Sequence, residues 1–206
     1  MMTLAKSFGI QWLASAYGAI VSILLTFLFG RLLGPEVFGN YSYLLTLGSL
    51  YAIIQDGGFR TLIFRELTSP TFQQIKVSLV SLSLGHNILV TITGVLILLA
   101  LPLNDRFLLI LAIISFGVVT TSTFFSSQLK GQGQFAEEAQ WRVTTRTLGA
   151  LSVLFFIFIF APTIELILGG TIVGYGIALS LRPRTCKLKV FFQKLDPVVY
   201  KSLASL

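Results

Sequence analysis

One cysteine, one histidine and a sparse set of charged residues limit what this 206-residue chain can be. Cys186 has no partner, so no disulfide forms within the chain, and its flank of Lys and Arg marks a cytoplasmic segment where none is expected. His86 is equally alone. A haem or metal centre inside a helix bundle needs paired His or carboxylate ligands, and the apolar stretches supply no such pair, so neither metal nor cofactor is expected. His86 then reads as a polar residue in a helix interface. Ser and Thr are plentiful, but none stands with a His and a carboxylate in a recognisable catalytic order, so no enzyme is expected. With 11% charged residues, 54% hydrophobic residues and a mean hydropathy of +0.86, the chain is too apolar for a soluble globular domain.

What is present is a series of long, nearly charge-free stretches separated by short segments that hold most of the charge. The stretch over residues 7–30 has no charged residue, and at about 1.5 Å rise per residue it exceeds the roughly 20 residues needed to cross a bilayer. Further stretches cover 37–55, 77–101, 107–129, 143–163 and 166–181. The pattern predicts an all-α integral membrane protein with six transmembrane helices over 1–181 and a basic linker over 182–206. Only residues 162–165 join the last two stretches, which also read as one interrupted block; two spans place the charges better. The apolar run after Lys6 is too long for a cleaved signal and is followed by a turn and another span, so the first helix serves as its own insertion signal.

Orientation follows from the basic residues, because short loops rich in Lys and Arg stay cytoplasmic. Of the 15 Lys and Arg, 13 fall on one side, in the segments around Lys6, Arg60–Lys76 and Lys130–Arg146 and after residue 181, against only Arg31 and Arg106 on the other. Glu36, Asp105 and Glu165 also lie on the poorer side. Both termini are therefore predicted to be cytoplasmic, in a multi-pass protein of the cytoplasmic membrane. The net charge of +7 comes from this asymmetry at helix ends, so no nucleic-acid partner is expected. Arg182, Arg184, Lys187 and Lys189 suit anionic membrane-lipid headgroups.

Two loops carry more specific information. In GRLLGPEVFGNYSY, residues 30–43, Gly34 is placed to end one helix in a left-handed conformation, Pro35 to open the next, and Glu36 to meet its positive N-terminus. The spacing predicts a tight helical hairpin. In QDGGFR, residues 55–60, Asp56 and Arg60 lie four apart and pair if the helix continues; Gly57 and Gly58 equally allow a break or a close helix contact.

These segments, in their order along the spans and together with LKGQGQFAEEAQWRV over 129–143, resemble the polysaccharide biosynthesis transporters, the lipid-linked oligosaccharide flippases of the multidrug, oligosaccharidyl-lipid, polysaccharide (MOP) superfamily. The resemblance covers essentially the whole chain. It implies one six-helix lobe of a MATE-like flippase that moves an isoprenoid-diphosphate-linked oligosaccharide from the cytoplasmic to the outer leaflet. Members commonly carry two such lobes around a central cavity, and this chain has one. The segment over 187–206 turns apolar at Val198-Val199-Tyr200 and Leu203-Ala204-Ser205-Leu206, as a linker entering a seventh span would. A gene fragment, a split partner of a second six-helix lobe, and a half-size protein that forms a homodimer all fit.

An anionic headgroup crossing hydrocarbon needs a hydrated cavity with cationic partners, and the planar fork of arginine suits a diphosphate. The substrate-binding candidates are Arg60 and Arg65 near the second span and Arg142 and Arg146 at the start of the fifth, with Arg60, Arg142 and Arg146 expected to face a common groove. Glu138, Arg142 and Arg146 fall at i, i+4 and i+8 and so can form one ion-pair ladder. Asp56 and Glu138 are the candidates for coupling or ion pairing. The same arginines also read as topology signals or snorkelling anchors. Arg31 is a candidate for release on the outer side, or a helix-end residue. The alternatives to a transporter lobe are a non-transporting fragment or membrane scaffold, and a drug/cation antiporter of the same superfamily. An antiporter needs intramembrane acids, whereas the chain is acid-free from Met1 to Pro35.

Overall fold

The computed structural model describes residues 4–68, 76–102 and 105–181, and every regular element among them is a helix. These are α1 (Leu4–Asp56), α2 (Phe59–Thr68), α3 (Lys76–Ala100), α4 (Arg106–Gly131), α5 (Phe135–Ile159) and α6 (Ile164–Ser180). Four stretches, Phe8–Asp56, Leu79–Ala100, Arg106–Gly131 and Phe135–Ile159, are long and apolar enough to cross a membrane, and Ile164–Ser180 is a shorter apolar helix. The described residues form an all-helical membrane protein. The segment over 182–206, read from the sequence as a basic linker, lies outside the described residues.

α1 is not one rod. Its helical geometry breaks at Gly34, whose φ of 73° and ψ of 169° suit glycine alone, and Pro35 resumes the helix with the φ its ring already fixes. The first half of α1 follows α5, with Gln11 at Glu138 and Tyr17 at Thr147. The second half runs opposite to α3, with Tyr51 packed against Gly94 and, further along, the Ile54 carbonyl 3.0 Å from His86 Nε2. α3 in turn opposes α4, where Asn87 donates to the Gly117 carbonyl at 2.8 Å, and α4 opposes α5, where Trp141 donates to the Ser122 carbonyl at 3.0 Å. The two halves of α1 therefore run in opposite directions, as a hairpin turned at Gly34. One apolar cluster gathers Phe29, Tyr41, Leu44, Ala112, Ile157 and Ile167 at the hairpin end of the bundle.

Where the sequence reads a loop after Asp56, the chain forms a second short helix. Gly57 (φ 52°) and Gly58 (φ 79°) break the run, and a side chain on Gly57 would meet His86 Nε2 at 2.7 Å. α2 then continues toward the other end of the bundle. It buries Ile63 and Leu67 in a second cluster with Leu79, Leu84, Phe124 and Leu129. His86 Nε2 lies 3.0 Å from the Ile54 carbonyl and its ring packs on Phe59, so it does sit in a helix interface. The next turn, Gln132–Gln134, uses Gly133 at φ 73°. α6 opens on Thr163, whose side-chain oxygen accepts from the Leu166 amide.

Candidate functional site

α5 begins at Phe135, so Glu138, Arg142 and Arg146 all stand on one helix near the α2 end of the bundle. Glu138 is fully buried, and its oxygens are saturated with donors. Arg142 reaches it through Nε at 3.1 Å and Nη2 at 2.7 Å; Ser126 of α4 and Gln11 of α1 also donate, and Lys130 Nζ stands 3.5 Å away. Arg142 spends its remaining donors on α1, with Nη1 on Ser15 Oγ at 2.6 Å and Nη2 on Gln11 Oε1 at 2.8 Å. A single buried carboxylate thus ties α1, α4 and α5 together. Burial of that charge is tolerable because two cations and two neutral donors surround it.

Beside this staple lies a cavity of about 220 Å³. Four cationic residues line it, Arg60 from α2, Lys130 from α4, and Arg142 and Arg146 from α5, along with the hydroxyl residues Ser122, Thr123, Ser126 and Thr145 and with Tyr175 of α6. Arg60, Arg142 and Arg146 all line this one space, but their states differ. Arg142 is committed to Glu138, Gln11 and Ser15. Arg60 and Arg146 are exposed and make no hydrogen bond or ion pair with any described residue. The Glu138–Arg142–Arg146 ladder therefore stops after one rung. Arg146 lies instead along Gly18 of α1, with its Cγ 4.0 Å from where a side chain there would begin.

The remaining candidates lie apart from this cavity. Arg65 pairs with its neighbour Glu66 at 2.9 Å, is 58% exposed and does not line the cavity. Asp56 makes no ion pair with Arg60, because the positive φ angles at Gly57 and Gly58 remove the helical register that the pairing needs. Arg31 stands at the opposite end, beside the α1 hairpin.

Sequence reasoning missed Gln11, Ser15, Lys130 and Tyr175 as parts of the site, and missed the buried polar contacts higher in the bundle. There Gln55, fully buried, donates to Thr91 and to the Ile113 carbonyl at 3.0 Å, while its Oε1 has no partner. One signal was available: Gln11, Ser15, Gly18, Ser22 and Thr26 follow helical spacing on the first apolar stretch. No group of three His, Cys, Asp or Glu among the described residues is placed to hold a metal ion.

A family model described as polysaccharide biosynthesis protein matches residues 4–185. No curated protein and no solved structure matches the chain.

Proposed function

Because the chain belongs to the polysaccharide biosynthesis protein family, a membrane transporter-like group, we propose that it forms one lobe of a flippase for isoprenoid-diphosphate-linked oligosaccharide in the cytoplasmic membrane. The lobe crosses six times, through the two halves of α1, with α2 completing the second crossing, and then through α3, α4, α5 and α6, with both termini cytoplasmic. The observation that carries this reading is the pair of uncommitted guanidinium groups, Arg60 and Arg146, in one hydroxyl-lined cavity. A free guanidinium presents its fork to a phosphate without first breaking an internal ion pair. Arg142 is a positioning residue in this scheme, since its donors already hold Glu138 and α1.

The size of the cavity limits what it holds. At about 220 Å³ it falls below the roughly 300 Å³ at which drug-sized sites begin, so it suits a diphosphate and leaves the sugars outside. The sugars extend over the open side of the cavity, where a second six-helix lobe, from the same gene product or from a second copy, supplies the facing wall. The work is that of a carrier: moving a bound anion between two exposures needs no bond to break.

Complementation of a strain lacking its own flippase tests this with the full gene product. Arg60→Ala and Arg146→Ala, at unchanged protein level in the membrane, are expected to abolish surface polysaccharide. Full export by the Arg60→Ala/Arg146→Ala double variant would overturn the assignment.

A further inference from the structure

We propose that the hairpin half of α1 carries a second station for the same carrier, an apolar groove that takes its isoprenoid chain, with Arg31 at one end taking its phosphate. This rests on the flippase reading. The groove measures about 830 Å³, and Ser22, Ile23, Thr26, Phe27, Arg31 and Phe38 are among the residues that line it. That volume lies within the range of sites for small molecules. It exists because the break at Gly34 folds α1 back, so that Phe38 of the second half stands across from Ile23 and Phe27 of the first.

The lining points to one kind of occupant. Phe27 is 74% exposed and Ile23 is 55% exposed, while nothing approaches within 4 Å of the position a side chain on Gly30 would take. The two hydroxyls are turned inward: Ser22 donates to the Gly18 carbonyl at 2.9 Å and Thr26 to the Ser22 carbonyl at 2.8 Å. Their protons are spent within the helix, so the groove offers hydrocarbon surface and no free hydroxyl donor for a sugar. Arg31 is the exception. It is exposed and forms no hydrogen bond or ion pair with a described residue, not even with Glu36 five positions on. A long apolar surface ending in one uncompensated guanidinium matches an amphiphile with a long chain and a phosphate head. A packed apolar helix would leave that charge unpaired.

The groove also continues the path from the cytoplasmic cavity. Gly18, which lies along Arg146, stands four and eight residues before Ser22 and Thr26, so all three share one face of α1. The carrier leaves Arg60 and Arg146 along this face and reaches Arg31 at the hairpin.

The test uses the full chain in lipid nanodiscs with two photoreactive polyprenyl diphosphates, one bearing its diazirine at the tail and one beside the diphosphate, and maps labelled peptides by mass spectrometry. The tail probe is expected to label residues 23–38. Arg31→Gln is expected to lower that labelling roughly tenfold, the loss of one charge-assisted hydrogen bond, while Arg31→Lys retains most of it. A tail-labelled polyprenol, lacking the phosphate, is expected to label as weakly as Arg31→Gln does with the diphosphate. The head probe reports on α2 and α5 separately, so its failure to label there counts against the flippase reading, and unchanged head labelling shows that Arg31→Gln is folded. Equal labelling by the polyprenol, full labelling of Arg31→Gln, displacement of the tail probe by ordinary anionic phospholipid, or no label in 23–38 would each overturn the second station.

Discussion

Glu138 and Arg60 represent two kinds of charged residue in this protein, and they should respond differently to removal. Glu138 is fully buried and holds Arg142, Lys130, Ser126 and Gln11, so Glu138→Ala strands the Arg142 guanidinium among groups that no longer compensate it. Breaking a fully buried pair costs about 3–5 kcal/mol; since Arg142 keeps 24% of its side chain exposed, a loss of about 2 kcal/mol is expected, read as a lower melting temperature in detergent. Arg60→Ala removes no hydrogen bond or ion pair to a described residue and is expected to leave the melting temperature unchanged. The sequence placed Arg142 and Arg146 together by helical spacing but did not distinguish a locked arginine from a free one. That difference depends on Gln11 and Ser15, more than 120 positions away on α1.

At the scale of elements, the helices were legible and their breaks only partly so. The hairpin at Gly34 follows from Gly-Pro chemistry alone, because no other residue accepts that φ and ψ so cheaply. α2 was not legible: Gly57-Gly58 reads as a loop, and Phe59–Thr68 becomes a helix because Ile63 and Leu67 find partners on α3 and α4. The interface between α5 and α6 shows what glycine does when it is structural. A side chain on Gly170 would meet the Val153 Cα at 2.8 Å and one on Gly174 the Leu148 carbonyl at 2.6 Å, whereas Gly169 has nothing within 4 Å. Backbone cannot step aside as a flexible side chain can. Gly174→Ala is therefore expected to force α5 and α6 apart and cost about 1–3 kcal/mol, and Gly169→Ala to be neutral, with thermal unfolding of the two variants as the check.

For the whole molecule, the bundle leaves large apolar side chains such as Trp12, Phe27, Leu89 and Phe158 exposed over much of its surface, which the hydrocarbon of a membrane covers at little cost. The proposed six-crossing topology predicts opposite accessibility at its two ends. In a Cys186→Ser background, a cysteine at Glu36 is expected to react with an impermeant thiol reagent in intact cells, and one at Lys130 only after permeabilisation. Labelling of both from outside would contradict the assigned orientation. Hydropathy and the distribution of Lys and Arg are enough to fix a helical membrane class, because a bilayer excludes unpaired backbone and leaves few alternatives. Which charges are spent and which remain free was decided only by tertiary structure. Neutralising the buried Glu138 requires donors from three helices, and their convergence on one carboxylate is a matter of packing that no local spacing encodes.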